Sequence, residues 1–179
     1  MTYQTVANIP GEPLKCWITR NLGASHQAAA VNDVSEASAG WYWQFNRRQG
    51  FQFINSRIPN TTWITTINEN LGWQAANDPC FLELGCGWRI PTATEWTNVD
   101  AAGNWQGWSG PWNSALRMHA AGALNGNDGS IHGRGVYGNY YSNTASALTA
   151  AWLMNFFDNH SAVDSDIKTW ADPLRCITE

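Results

Sequence analysis

Four aspartates, Asp158, Asp164, Asp166 and Asp172, fall close together near the end of a chain whose carboxylates are otherwise scattered. Such a set holds a cation if the side chains converge and is an ordinary solvated loop if they do not, the commoner case. Asp128 in "GNDG" hints at a calcium loop, but the acidic spacing of a full site is absent and a turn fits better. The histidines, His26, His119, His132 and His160, stand apart from one another, with no H-E-x-x-H, G-x-S-x-G or C-x-x-C pattern around them. These patterns predict no catalytic residue, no metal ligand and no cofactor. Cys80 and Cys86 form a C-x5-C pair with no second pair and no nearby histidine, a poor zinc site. A local Cys80–Cys86 bridge or two free thiols come first, then a Cys16–Cys176 pairing that ties the termini, with buried free thiols as the plainest alternative. Trp105, Trp108 and Trp112 would make a carbohydrate-stacking platform if a strand lay beneath them; anchoring a long loop to the core is the preferred role.

These groups must be positioned by a chain of 179 residues, enough for one domain with its own core. Hydrophobic residues make up 44% and charged residues 13%, with twelve tryptophans, so solubility rests on Asn, Ser, Thr, Gln and Gly rather than on charge. That balance excludes a disordered segment. The net charge of -4, with Arg47 and Arg48 the only adjacent basic pair, argues against nucleic acid as a partner. No run of about eighteen apolar residues is present, which predicts no membrane insertion. The start, "MTYQTVANIPGEP", lacks the basic and apolar regions of a signal peptide, which predicts a chain not exported by that route or a segment of something longer.

Leu14, Cys16 and Ile18 alternate with Lys15, Trp17 and Thr19, predicting a strand that ends by Gly23. Asp33 or Ser35 caps a first short helix ahead of an aromatic cluster at Trp41, Tyr42, Trp43, Phe45, Phe51 and Phe53. Residues 54–79 have the Asn, Pro and Gly density of an ordered loop. In "GCGWRIPTATEWTNVDAAG", Thr92 and Glu95 form a capping box and Trp96 and Val99 share a face, predicting a helix from about Ala93 to Ala101 stopped by Gly103. "NGNDGS" is turn chemistry, and Ile131, Gly133, Gly135 and Tyr137 alternate as in a hairpin. In "AWLMNFF", Trp152, Met154 and Phe156 take one face and Leu153, Asn155 and Phe157 the other, a register that would expose Leu153 and Phe157.

The stretches "LKCWITRNLG", "GWYWQFNRRQG", "GCGWRIPTATEW", "GVYGNYYSNT" and the closing "PLRCI", in this order, resemble the major paralogous domain of the C-type lectin fold known from Bacteroidetes and their phages, in its versions diversified by retroelements. The resemblance covers about residues 12 to 178. It implies a single α+β domain over 1–179 with the C-type lectin fold: short antiparallel sheets, two short helices and long ordered loops. It also implies a variable segment over about 138–173, in which adenines of a template copy are mutated. Scaffold positions would be Gly138, Tyr140, Ser142, Thr144, Trp152, Met154, Phe156, Val163, Arg175 and Cys176. The variable ligand-binding face would comprise Asn139, Tyr141, Asn143, Leu153, Asn155, Phe157, Asp158, Asn159, His160, Asp164, Asp166, Ile167, Thr169 and Trp170. Trp170 is not produced from an AAC codon by adenine change, which points to a fixed member. Ser165 and Asp172 also depart from the scaffold pattern, and "ADPLRC" replaces the family's glycine-aromatic pair.

The activity so implied is binding without catalysis, of a protein or glycan ligand on a cell surface, by a phage virion tail or a bacterial surface protein. A homo-oligomer or a longer parent chain would carry the domain. Large apolar anchors among adaptable polar groups are what a paratope uses. The alternatives are a carbohydrate-binding lectin-like domain of fixed specificity and an oxidase like the formylglycine-generating enzymes, which resemble this fold but whose cysteine arrangement the chain does not reproduce.

Overall fold

From Thr5 onward short strands alternate with helical turns: β1 (Thr5–Val6), β2 (Cys16–Ile18), α1 (Glu36–Ala39), β3 (Tyr42–Gln44), β4 (Gly50–Ile54), β5 (Ser56–Ile58), α2 (Pro79–Leu84), α3 (Ala93–Gly103), α4 (Ser109–Asn113), β6 (Ala123–Leu124), β7 (Ile131–His132), β8 (Gly138–Ala145), β9 (Ala150–Phe157), β10 (His160–Ile167), β11 (Ala171–Asp172) and β12 (Ile177–Thr178). The computed structural model describes residues 2–179. The architecture is α+β, with the strands in three antiparallel sheets ordered β1-β2-β12, β10-β9-β8 and β5-β4-β3-β11-β6-β7. Among the described residues no helix is long and apolar enough to cross a membrane.

The capping box is formed: the Thr92 hydroxyl accepts from the Glu95 amide at 3.1 Å, and the Glu95 carboxylate accepts from the Thr92 amide at 2.7 Å. The same carboxylate takes two bonds from the Arg89 guanidinium, at 2.6 and 2.8 Å. Trp96 and Val99 point into the core, as their spacing predicts. The helix runs two residues past the predicted end, through Gly103, and stops at Asn104, whose backbone is left-handed at φ 47°. Asn serves there because its short polar side chain tolerates that conformation. Two helices were expected, and the described residues form four; α1, α2 and α4 span only 4, 6 and 5 residues.

The first predicted strand is shorter than its alternation suggests. Leu14 is exposed, while Trp17 and Ile18 are both buried because β2 is the middle strand of its sheet and is covered on two sides. The predicted hairpin over Ile131–Tyr137 forms only at its start, where β7 pairs with β6 across the "NGNDGS" turn. Gly133 at φ 66° and Gly135 at φ 81° then turn the chain out of the sheet. Asp128 caps that turn by accepting from the Ser130 amide and hydroxyl. The loop following β5 is ordered by hydrogen bonds at intervals: Gln44 donates to the Ile64 carbonyl, Trp63 to that of Gly126, and the Trp73 amide to that of Asn143.

The β10-β9-β8 sheet runs between two aromatic core clusters. One holds Trp43, Phe45, Trp73, Tyr141, Ala151 and Leu153; the other holds Trp17, Trp96, Val99, Tyr140, Met154 and Phe156. Trp105 joins the second cluster and Trp108 packs against it, so these indoles anchor the loop before α4. The Trp108 amide donates to the Phe157 carbonyl at 2.8 Å. Gly107 lets the loop approach this closely: a Cβ there would lie 2.1 Å from the Asp158 carbonyl oxygen, and its φ is +56°.

The disulfide joins Cys80 to Cys176, with Cα atoms 5.5 Å apart, and Cys16 and Cys86 are free. Neither expected pairing is formed. Asp78 caps α2 by accepting from the Cys80 and Phe81 amides and also from that of Ile90, which presents Cys80 inward toward the buried C-terminal segment. Gly85, at φ 91°, ends the helix, and Cys86 beyond it is exposed.

Candidate functional site

Successive residues of a strand point to opposite faces of its sheet, and directly opposed residues share a face. The register therefore sorts the C-terminal segment. Asn139 faces Asn155, Tyr141 faces Leu153, and across β9 Leu153 faces Asp164, Asn155 faces Ala162 and Phe157 faces His160. The opposite face carries Tyr140, Met154, Phe156 and Val163 against the α3 side of the core.

The first face has two halves. Over Tyr141, Ala151 and Leu153 it is covered by Phe45 and Trp73, with the Tyr141 ring edge-on to both. Over Asn139, Asn155 and Phe157 it opens into a groove of about 310 Å³ lined by Val136, Tyr137, Asn139, Asn155, Phe157, Asp166 and Trp170. Five expected face residues thus line one depression. The Asn155 carboxamide donates to the Asn139 side-chain oxygen at 2.5 Å, which ties the two amides together across β8 and β9. Phe157 stacks on the His160 ring with centroids 4.8 Å apart, and His160 pairs with Asp164 at 2.8 Å. Asp158 and Asn159 form the exposed tip of the β9–β10 hairpin.

Other expected face residues lie elsewhere. Leu153 and Tyr141 are buried, because this sheet is packed on both faces over that half and polar-out alternation fails there. Thr169 is buried with its carbonyl accepting from Gln44 at 2.6 Å. Asn139 is buried too, although it lines the groove. Asn143 lies within the break in the β8–β9 register, its backbone bonded to Pro91 and Trp73. Ile167 is exposed but on the opposite face, opposed to Ala150. Trp152, expected as scaffold, is exposed at 37%, lining a shallow depression beside Ala93, Thr94 and Thr97 of α3.

Val136 and Tyr137 were missed as groove walls. Their only sequence signal is an exposed valine between glycines just before a strand. The Tyr137 hydroxyl bonds the His132 ring at 2.9 Å, and His132 meets the Trp170 indole edge-on at 5.4 Å, so β7 braces the groove wall. At the corner after β10, the Tyr141 hydroxyl donates to the Trp170 and Ile167 carbonyls. The buried Lys168 ammonium donates to the carbonyls of Glu69, Ala147 and Leu148.

Asp172 is completely buried and both its oxygens lack a hydrogen-bond partner. Burial holds its carboxyl well above the usual range, with the nearby Asp166 charge adding to the effect; the Asn139 and Tyr141 side chains oppose it without closing a hydrogen bond. Asp166, half-buried beside the groove, is also raised by burial, partly offset by the Ile167 amide. Among the described residues, no three His, Cys, Asp or Glu converge to hold a metal ion.

A raised native carboxyl pKa has a definite consequence for stability. The unfolded chain releases the Asp172 proton near pH 4 while the folded protein keeps it, so this group lowers stability as pH rises from about 4 toward its native pKa. Asp172→Asn should therefore equal the parent at pH 4 and exceed it at pH 8, on the order of 1–3 kcal/mol in urea unfolding. Buried His119, whose pKa is held down to about 3 mainly by burial, acts in the opposite sense below about pH 6.5, so parent and variant are compared at each pH. Parallel curves for the two proteins would show that Asp172 is ionised in the fold.

No protein-family model matches the chain, and no curated protein sequence matches it significantly.

Proposed function

We propose that the domain is a non-catalytic ligand-binding module of the C-type lectin fold whose C-terminal segment is diversified by a retroelement, with the groove and the β9–β10 hairpin tip as its binding face. One observation supports this: of the residues expected to vary, Asn155, Phe157, His160 and Asp166 fall at the open part of one sheet face and Asp158 and Asn159 at its tip, while core packing holds the other face. The scaffold beneath is stabilised by aromatic clusters and a disulfide that do not depend on the face's identity. A face of this kind suits adhesion of a phage tail or bacterial surface protein to a protein or glycan on a cell, where repeated display strengthens weak single sites.

The aromatic walls and paired carboxamides also favour, as a second reading, a glycan site of fixed specificity. An oxidase that used Cys176 finds no support, since that sulfur is bonded to Cys80.

Sequencing the native locus across a population decides between the first two. Diversification predicts substitutions at the codons of Asn155, Phe157, Asp158, Asn159, His160, Asp164 and Asp166, a near-copy template, and a reverse transcriptase gene nearby. It also predicts that Tyr141, Leu153 and Thr169 are spared, because each is buried. An invariant segment with no template would leave a fixed-specificity binder.

A further inference from the structure

From Asn155 to Ile167 the chain carries Asp158, Asp164 and Asp166 and no lysine or arginine. Asp166 lines the groove, and Asp172 beneath it is buried with two unpartnered oxygens. Asn139, which lines the groove, and Tyr141 are the side chains nearest the Asp172 carboxyl, so this orphaned group lies behind the groove floor. Basic groups nearby are committed elsewhere. Arg134 donates to the Tyr42 hydroxyl and the Phe53 carbonyl, and Lys168 to three carbonyls. The groove is therefore lined by one acidic side chain and no basic one, with Phe157 and Trp170 among its walls.

We propose that this groove takes a cationic side chain, a guanidinium or ammonium projecting from the surface of a protein partner, seated between the aromatic walls and held by Asp166 over Asp172. The inference deepens the binding-face reading and rests on it. Aromatic faces attract cations through their quadrupole, and more strongly where water is excluded. A cation also compensates the Asp166 carboxylate, whose charge is costly where it is half-buried beside the groove. A neutral glycan would gain the stacking and the amide bonds, but it would leave the Asp166 carboxylate without a compensating charge.

The test is a titration of the isotope-labelled protein with Nα-acetyl-arginine methylamide, its uncharged counterpart Nα-acetyl-citrulline methylamide, and methyl mannoside, each to about 50 mM, which covers millimolar dissociation constants. The arginine probe should give saturable shifts of the Trp170 indole and Asn155 carboxamide signals, with the citrulline probe at least about ten-fold weaker. Asp166→Asn should remove that preference while the other indole signals stay in place, showing an intact fold. Equal response to arginine and citrulline, or saturation by the mannoside alone, overturns the cationic ligand and leaves the binding face standing. Silence of the groove signals with every probe overturns the cationic ligand as well; the face itself is then decided by the locus.

Discussion

Arg175→Met lowers the unfolding free energy by about 3–5 kcal/mol, among the larger effects a single substitution produces. Arg175 is completely buried without a carboxylate partner. Its Nε donates to the Asn21 side-chain oxygen at 3.0 Å, and its terminal nitrogens donate to the carbonyls of Ile18, Leu116 and Arg117 at 3.2, 2.8 and 3.2 Å. Burial lowers its pKa to about 10, so it stays charged at neutral pH and the converging carbonyl dipoles replace its hydration. Methionine fills much of the volume but leaves those acceptors unpaired, at about 1–3 kcal/mol for each that water cannot reach. Arg175→Lys keeps the charge but offers one compact donor head in place of a fork, so it should recover only part of the loss. Urea midpoints for the three proteins check this; a Met variant within about 1 kcal/mol of the parent would show that the guanidinium is dispensable.

Arg175 shows how much of this fold was legible. The closing "RC" could be picked out as scaffold, but the partners of its arginine lie 58 to 157 residues away, and no local pattern encodes them. The same holds for Cys80 and Cys176, separated by 96 residues and joined through the packing of α2 on the C-terminal segment. Local chemistry, by contrast, was readable. The capping box set the start of α3, and "NGNDGS" set a turn, because each depends on residues within a few positions.

The binding face divides along the same line. Strand alternation put Asn155 and Phe157 on one side of the sheet, as the register has them. It could not show that Phe45 and Trp73, from distant segments, cover the half that holds Tyr141 and Leu153. Nor could it show that the segment before β8 supplies Val136 and Tyr137 to the opposite wall. Period-two patterning reports the face a residue takes; burial depends on what is laid over that face. The Asp172 carboxyl was visible only as one of four acidic residues, since its orphaned state comes from the sheet that encloses it.

Replacing both Cys80 and Cys176 with alanine should lower the melting temperature by roughly 10–15 °C. A cross-link closing a loop of this length restricts the unfolded chain by an amount worth about 4–5 kcal/mol on the chain-entropy account, and a domain of this size loses about 2–4 °C per kcal/mol. Both cysteines are fully buried, so a reductant reaches the bond only when the fold opens, and reduction of the native protein should proceed no faster than global unfolding. Cys86→Ala, at an exposed free thiol, should leave the melting temperature unchanged. Rapid reduction under native conditions, or a double variant melting within about 2 °C of the parent, would mean that packing alone closes the loop. Neither half-cystine lines the groove, so ligand binding below the melting temperature should survive the double substitution. Stability supplied by a distant cross-link, rather than by the face, is what leaves Asn155, Phe157 and the hairpin tip free to differ from one version of the domain to the next.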